Sequence, residues 1–194
     1  LYTDQAKDSN YEYFQFVNSG ALQRSDIYGK LNGVNSSCSL SGLTLSKYKQ
    51  HSATYINTDH AKPNCTSSQN FKSILNDMSS GVFNGRTIVQ EDSQKTNSRQ
   101  SNKNLILSDK ALMNSNPQLE IYADDVKCAH GSTTGALDKE ALFYMQSRGI
   151  NKDEASSLLI RGFASELLNE IQHEGTKKYL FNKFDHWLRH YSKS

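Results

Sequence analysis

Phe71-Lys72-Ser73-Ile74-Leu75 belongs to a series of short apolar runs that decide the fold class of this chain. Each run is too short for an ordinary helix, and the series has the period of two that a strand with one buried face requires. The other runs lie at residues 13–17, 43–45, 87–89, 105–107 and 119–122. The series predicts a mainly β core from about residue 11 to residue 136.

Dipeptides that favour turns separate many of these runs. They are Asn32-Gly33, Ser41-Gly42, Ser80-Gly81 and Asn84-Gly85, and we expect a turn at each of them. Many brief strands at nearly regular spacing are typical of a sandwich, a barrel or a β-solenoid. Periodicity alone does not choose among the three, and no clean repeat length is visible in the sequence.

After Asp138 the hydrophobic period changes to that of helices. Asp138 is a suitable N-cap for a short helix through Ser147, which Gly149 would end. Asn151 caps a longer helix, which we expect to stop at Gly175.

A third amphipathic helix is predicted over residues 177–191. Its apolar stripe consists of Leu180, Phe184, Trp187, Leu188 and Tyr191. Stripes of this kind usually bury within the same molecule. We therefore expect the helices to pack on one another and on the end of the β core.

Composition excludes several classes of function. The chain of 194 residues has room for one domain, or for a domain with an appendage. Its net charge of +2, without a concentrated basic patch, predicts no binding to nucleic acid or membranes. No apolar run approaches the ~20 residues of a spanning helix. The first residues also lack the pattern of a signal peptide.

Three cysteines are widely spaced along the chain. Their odd number argues against a disulfide framework and for a reducing compartment, so we expect a cytoplasmic location. Cys38 and Cys65 have no Cys or His nearby at metal-binding spacing, and we interpret both as core thiols.

Cys128 and His130 form the most informative pair of chemical groups. In an extended strand they would point to the same face, while Lys127 and Ala129 point to the other. Thiolate and imidazole bind iron, iron-sulfur clusters, zinc and copper, but two ligands do not complete a site that needs three or four. The others would come from elsewhere, including a partner chain. Alternatively, Cys128 is a buried small hydrophobic residue and His130 a hydrogen-bonded turn residue.

The sequence around this pair resembles the SufB/SufD family of iron-sulfur cluster assembly scaffolds. The resemblance is carried by residues 119–131, Gly135, Leu137-Asp138, Phe143-Tyr144 and Ser147-Arg148-Gly149-Ile150, and upstream by Gly81-Val82-Phe83-Asn84-Gly85, Gln94-Lys95, Asn102 and Asn104-Leu105. It covers about residues 26–172. Within the family, Lys127-Cys128-Ala129-His130-Gly131 resembles SufD rather than SufB.

The resemblance implies a specific architecture. Residues 1–137 would form a right-handed parallel β-helix core, and residues 138–194 a C-terminal helical region. Family members have an N-terminal helical region and further strands, so the chain looks like the C-terminal part of a longer protein, with an N-terminally incomplete β-helix. The exposed edge of such a solenoid invites association with another copy.

The resemblance also implies a function without catalysis. We expect a scaffold subunit for iron-sulfur cluster assembly, and a transient cluster shared with SufB that the isolated chain does not hold tightly. His130 is the first candidate ligand. Cys128 is the second, either as a ligand or as a neighbouring thiol that tunes the site. A neutral imidazole in place of a thiolate makes a cluster less negatively charged and more easily released.

Three partners follow from the same resemblance. A SufB-like subunit would contact the β-helix, and SufC, an ABC-type ATPase, would dock on the C-terminal helices. In isolation the chain would form a homodimer through the surface meant for SufB. The chain has no Gly-rich phosphate loop, so nucleotide hydrolysis would come from another subunit.

Two other functions stay open at this point. A β-helical protein that binds or cleaves carbohydrate would want paired carboxylates on one exposed sheet. Asp124 and Asp125 are adjacent, however, and in a strand they would face opposite ways. A structural oligomerisation module is the other alternative, and it is distinguished by whether iron and sulfide associate with the protein when SufB is present.

Overall fold

Within residues 1–191, the part of the chain that the structure describes, ten strands precede three helices. The structure is a computed structural model, and its side chains are described for residues 1–189. The strands are β1 (Tyr2–Gln5), β2 (Asn10–Val17), β3 (Leu22–Leu31), β4 (Ser37–Ser46), β5 (His51–His60), β6 (Thr66–Leu75), β7 (Ser80–Val89), β8 (Asn97–Ile106), β9 (Leu112–Ile121) and β10 (Lys127–Gly135). The helices are α1 (Lys139–Ser147), α2 (Lys152–Leu168) and α3 (Glu174–Tyr191).

The strands form two parallel sheets that alternate along the chain. The odd-numbered strands make one five-stranded sheet in the order β1-β3-β5-β7-β9, which we call the odd sheet. The even-numbered strands make the even sheet, in the order β2-β4-β6-β8-β10. One strand from each sheet therefore completes one turn of a solenoid. The predicted parallel β-helix is confirmed.

The solenoid does have a repeat, although its length varies. Leu22 pairs with His51 and His51 with Ser80, so these turns are each 29 residues long. Ser80 then pairs with Leu112, and that turn is 32 residues long. The repeat was not visible in the sequence because turns of unequal length do not give one constant spacing between equivalent residues.

One corner of the solenoid is built the same way in successive turns. The chain passes it through a residue with positive φ; these residues are Asp8, Asn35, Asn64 and Lys95. Asn and Asp adopt this left-handed conformation more readily than most residues. The side chain of the residue that follows points into the solenoid. Ser36, which follows Asn35, is an example, and its hydroxyl donates to the Gly33 carbonyl at 2.8 Å. The predicted turn at Asn32-Gly33 lies at this corner, just after β3.

The other three predicted turns are wrong. Ser41-Gly42 lies inside β4, and both Ser80-Gly81 and Asn84-Gly85 lie inside β7. These glycines serve packing rather than chain reversal. A Cβ at Gly42 would overlap the ring of Phe71 on the neighbouring strand, so the missing side chain makes room for a large one.

The first turns of the solenoid enclose an apolar cluster beside buried polar side chains such as Gln15 and Thr54. Buried members of this cluster are Ile27, Leu31, Cys38, Leu40, Ile56, Cys65, Phe71 and Phe83. Cys38 and Cys65 are free and buried, which confirms that they are core thiols. Burial raises the pKa of Cys38 to about 11, so this thiol stays protonated and unreactive near neutral pH.

The N-caps of α1 and α2 and the end of α1 at Ser147 follow the sequence prediction, whereas α3 begins at Glu174, three residues before its predicted start. The Asp138 carboxylate accepts from the amides of Glu140 and Ala141, and the Asn151 side chain accepts from the amide of Glu154. The predicted stop at Gly175 is wrong, because α2 already ends at Leu168 and Gly175 lies in the first turn of α3.

The helices pack on the outer face of the even sheet rather than on the end of the solenoid. Outward-facing side chains of the sheet and the apolar faces of α2 and α3 share one buried cluster, which includes Leu43, Leu45, Ile74, Leu105, Ile160, Leu167, Leu180, Phe184, Trp187 and Leu188. The predicted stripe of α3 is therefore largely intramolecular. Its last member, Tyr191, lies outside the described side chains.

A buried lysine fastens α2 to this sheet. The side chain of Lys72 is 1% exposed, and its ammonium group donates to Glu166 at 2.5 Å and to the Phe163 carbonyl at 2.8 Å. Burial lowers the pKa of Lys72, and the hydrogen bond from Lys72 lowers the pKa of Glu166. Since 59% of the Glu166 side chain is exposed, the desolvation cost of the pair falls mainly on the lysine.

This asymmetry predicts unequal effects of removing each partner. Glu166→Ala leaves a buried ammonium without its carboxylate, and we expect a loss of about 2 kcal/mol in unfolding free energy, below that of a fully buried pair. Lys72→Met replaces the lysine with an apolar chain and leaves Glu166 in water, so we expect a change within about 1 kcal/mol. Urea unfolding of both variants measures the difference. A larger loss in Lys72→Met would contradict it.

Candidate functional site

β10 is the last strand of the even sheet, and one of its edges is open. It pairs in parallel with β8, with Lys127 opposite Asn97 and Gly135 opposite Leu105. Within the described chain, no strand pairs with its other edge. An edge of this kind presents unpaired backbone donors and acceptors, which makes it a template for another strand.

Cys128 and His130 lie on one face of β10, as predicted from an extended strand. Their register partners on β8, Ser98 and Gln100, are 1% and 3% exposed and point into the solenoid. Cys128 and His130 therefore continue the inner rows of the solenoid at its open end. His130 is exposed and Cys128 is half-buried, because no further turn of the described chain covers this end.

The inner rows next to this end are polar. The Asn102 side-chain oxygen accepts from Asn104 and from Ser115, both at 2.7 Å. Ser115 in turn lies 2.7 Å from the hydroxyl of Ser132 on β10. Asn104 also donates to the hydroxyl of Thr134 at 3.3 Å. A hydrogen-bonded network thus ties the side chains of the exposed last turn to the buried turn beneath it.

A second polar row leads from the interior to Cys128. The buried imidazole of His60 lies 2.8 Å from the Ser67 hydroxyl, and Ser67 lies 2.9 Å from Ser98, the register partner of Cys128. Burial lowers the pKa of His60 to about 4, so this histidine is neutral at ordinary pH. The row is structural, with no titration near neutral pH.

Sequence reasoning did not assign β8 to a strand beyond its apolar end. Its inner residues are the polar Ser98, Gln100, Asn102 and Asn104, so the usual apolar alternation is absent. The signal that could have found the strand is the spacing: Gln69 and Gln100 are register partners in adjacent turns, as are Ser67 and Ser98.

The thiol of Cys128 is protonated at neutral pH. Burial raises its pKa, and a hydrogen bond with the Ser98 backbone lowers it by less. A metal that binds here would therefore displace a proton, since the thiolate is the ligand.

Cys128 and His130 do not form a complete metal site on their own. Among the residues that the structure describes, no three His, Cys, Asp or Glu side chains come close enough to hold a metal ion. An iron site at this end would therefore need ligands from outside the described chain, consistent with the expectation from sequence.

Of the two acidic residues before β10, Asp125 is held in contacts within the fold. Asp125 forms an ion pair with Lys95 at 2.8 Å across the corner, and this hydrogen bond lowers the pKa of Asp125. Its amide donates to the Gln94 side chain at 2.9 Å. These contacts hold Asp125 at the corner between β9 and β10 and assign it a structural role.

None of the described helices is long and apolar enough to cross a membrane.

Comparison with known proteins places this architecture in context. Residues 1–163 match the family model described as SUF system FeS cluster assembly, SufBD core domain. Residues Cys128 and His130 lie inside this match.

Individual relatives agree with the family match. The chain is 38% identical over 173 residues to the iron-sulfur cluster assembly protein SufD of Escherichia coli, an alignment that covers 89% of this chain and 41% of the relative. It is 37% identical to an iron-sulfur cluster assembly SufBD family protein of Synechocystis, over 86% of this chain and 37% of that protein. A SufBD family protein of Mycobacterium leprae is 30% identical over 94% of this chain and 48% of its own length. The chain thus spans less than half the length of these relatives.

Proposed function

The chain belongs to the SufBD core family of the SUF system of iron-sulfur cluster assembly and is SufD-like, and from this premise we propose that it acts as a scaffold subunit without turnover of its own. Its proposed task is to supply ligands and geometry to a cluster that is assembled at the open end of the solenoid and passed on. The cluster is cargo in this proposal, and it is shared with a partner.

The observation that carries the proposal is the position of His130 and Cys128. Both lie on the inner face of β10, beside an unpaired strand edge. A partner that extends the sheet at this edge would bring its own side chains next to them. His130 would contribute a neutral imidazole, and Cys128 a thiolate or a neighbouring thiol that tunes the cluster.

A SufB-like subunit is the proposed partner at this end. Members of the same family share the fold, so a SufB-like solenoid can add its own edge strand to β10 by main-chain pairing. Without SufB, a second copy of this chain would occupy the same surface and form a homodimer.

A SufC-like ABC ATPase is the proposed partner of the helical region. The α3 stripe is largely used inside the molecule, but other large side chains of the helices remain outside. They are Phe143 and Tyr144 on α1, Leu158 on α2 and Tyr179 on α3, exposed by 73%, 60%, 44% and 58%. Exposed aromatic and aliphatic side chains of this kind favour protein docking.

Anaerobic reconstitution with iron and sulfide tests the proposed function. We expect little bound iron with the isolated chain, and a stable cluster absorbance when the SufB-like partner is present, because the described residues supply too few ligands alone. A matched sample of the SufB-like partner by itself gives the contribution of that subunit. Equal iron content with and without this chain would refute the scaffold role.

A further inference from the structure

Gln100 lies beside His130 on the neighbouring strand and on the same inner face. The two residues are direct register partners, and adjacent strands are about 4.8 Å apart. Gln100 is 3% exposed, whereas His130 is exposed. The buried glutamine therefore lies next to the exposed histidine, one strand further into the solenoid.

The amide nitrogen of Gln100 is hydrogen-bonded to the preceding turn of the solenoid, on the side away from β10. Its Nε2 donates to Oε1 of Gln69 at 2.7 Å, and Gln69 donates to the hydroxyls of Thr58 and Thr87 at 3.0 and 3.1 Å. The other end, Oε1, is buried and accepts no hydrogen bond from the described residues. A buried acceptor without a donor costs free energy, so a donor that reaches this atom would be favoured.

The fold makes room for this amide. A Cβ at Gly85 on the facing sheet would collide with Nε2 of Gln100 and with the ring of Phe83. The glycine thus permits the Gln100 side chain to lie in the interior at this level. By contrast, the exposed ring of His130 makes no hydrogen bond to the described part of the chain, so nothing there sets its orientation.

We propose that Gln100 is the positioning residue of His130: its Oε1 accepts one ring N–H and leaves the other ring nitrogen, unprotonated, to face the cluster. This inference rests on the proposed function, in which His130 is a ligand. A ligating histidine usually donates its second ring N–H to a carbonyl or carboxylate, which fixes the tautomer and raises the basicity of the ligating nitrogen. Gln100 supplies such a carbonyl from a rigid strand.

The test uses the complex with the SufB-like partner, reconstituted with iron and sulfide. Gln100→Leu removes the acceptor, and we expect loss of cluster to a chelator to become about 10-fold faster. Pulsed electron paramagnetic resonance of the reduced cluster should show a changed quadrupole coupling for the remote imidazole nitrogen, because this coupling responds to the hydrogen bond on that nitrogen.

Two further variants separate positioning from packing. Gln100→Glu keeps an acceptor, and the Gln69 amide can turn to donate to it, so we expect slow cluster loss and a hydrogen-bonded remote nitrogen. Gln15→Leu removes another buried glutamine with an unpaired Oε1, at the far end of the even sheet. It should change neither the rate of cluster loss nor the coupling of the remote nitrogen.

The outcomes distinguish this inference from the function beneath it. Unchanged nitrogen couplings and cluster loss in folded Gln100→Leu would overturn the positioning role while leaving His130 as a ligand. A remote nitrogen without a hydrogen bond in Gln100→Glu would also overturn it, including where Gln100→Leu does not fold. The absence of any imidazole coupling in the wild-type complex would refute the ligand assignment itself, and the inference with it.

Discussion

His130→Ala is expected to remove most of the cluster from the complex while leaving the fold and the association with a SufB-like partner nearly intact. The imidazole is exposed and makes no hydrogen bond to the described residues, so its loss should change stability by less than about 1 kcal/mol. In the proposed function His130 contributes a direct bond to the cluster, and we expect Cys128 not to replace it, because burial raises the pKa of that thiol. Iron content and melting temperature, measured on the same purified variant, give both quantities.

Cys128→Ala is the matched comparison on the same face of the same strand. We expect a smaller loss of cluster, because its raised pKa opposes formation of the thiolate. If His130 were instead a structural residue, His130→Ala would lower stability by about 1 kcal/mol without changing the iron content per folded complex. An unchanged iron content would therefore rule out His130 as a ligand.

Ser132→Pro is expected to weaken association at the open end strongly. Lys127 donates its amide to Thr96 at 2.8 Å, toward β8, and backbone direction alternates along a strand. The amides of Cys128, His130, Ser132 and Thr134 therefore point to the open edge. Proline at residue 132 removes one of these donors and places its ring in the path of an added strand, without breaking the ladder to β8. We expect partner affinity to fall by about 100-fold, equivalent to roughly 3 kcal/mol.

Ser132→Ala is the control, because it loses the same contact with Ser115 but keeps the amide. Analytical ultracentrifugation of the isolated chain and a binding titration with the SufB-like partner measure the two associations. We expect Ser132→Pro to be a monomer that retains its melting temperature within a few degrees. Wild-type affinity in this variant would mean that the partner does not pair with β10.

Local patterns in the sequence were sufficient for several elements. The N-caps at Asp138 and Asn151 were predicted because a cap depends on hydrogen bonds within a few residues. The shared face of Cys128 and His130 was predicted because alternation is a property of a single strand. The parallel β-helix came from resemblance to a known family, since period-two alternation is common to several β architectures.

Predictions that depended on neighbours far along the chain were wrong or missing. Ser80-Gly81 and Asn84-Gly85 were expected to turn, yet the glycines lie in β7 to make room for side chains on neighbouring strands. The polar strand β8 was largely unrecognised, because its inner residues are hydrogen-bonded to other turns rather than buried as apolar groups. Lys72 gave no sign of burial, since its carboxylate partner is Glu166 on a distant helix.

The sequence by itself thus determined the strand period, the N-caps of α1 and α2 and the identity of the two candidate ligands. Only the tertiary structure decided that these ligands stand at the open end of a polar interior, that Gln100 lies beneath His130, and that the helices cover the even sheet. The physical reason is register. Residues that meet in this solenoid are about 30 positions apart, and their alignment depends on turn lengths that vary from 26 to 32 residues along the odd sheet.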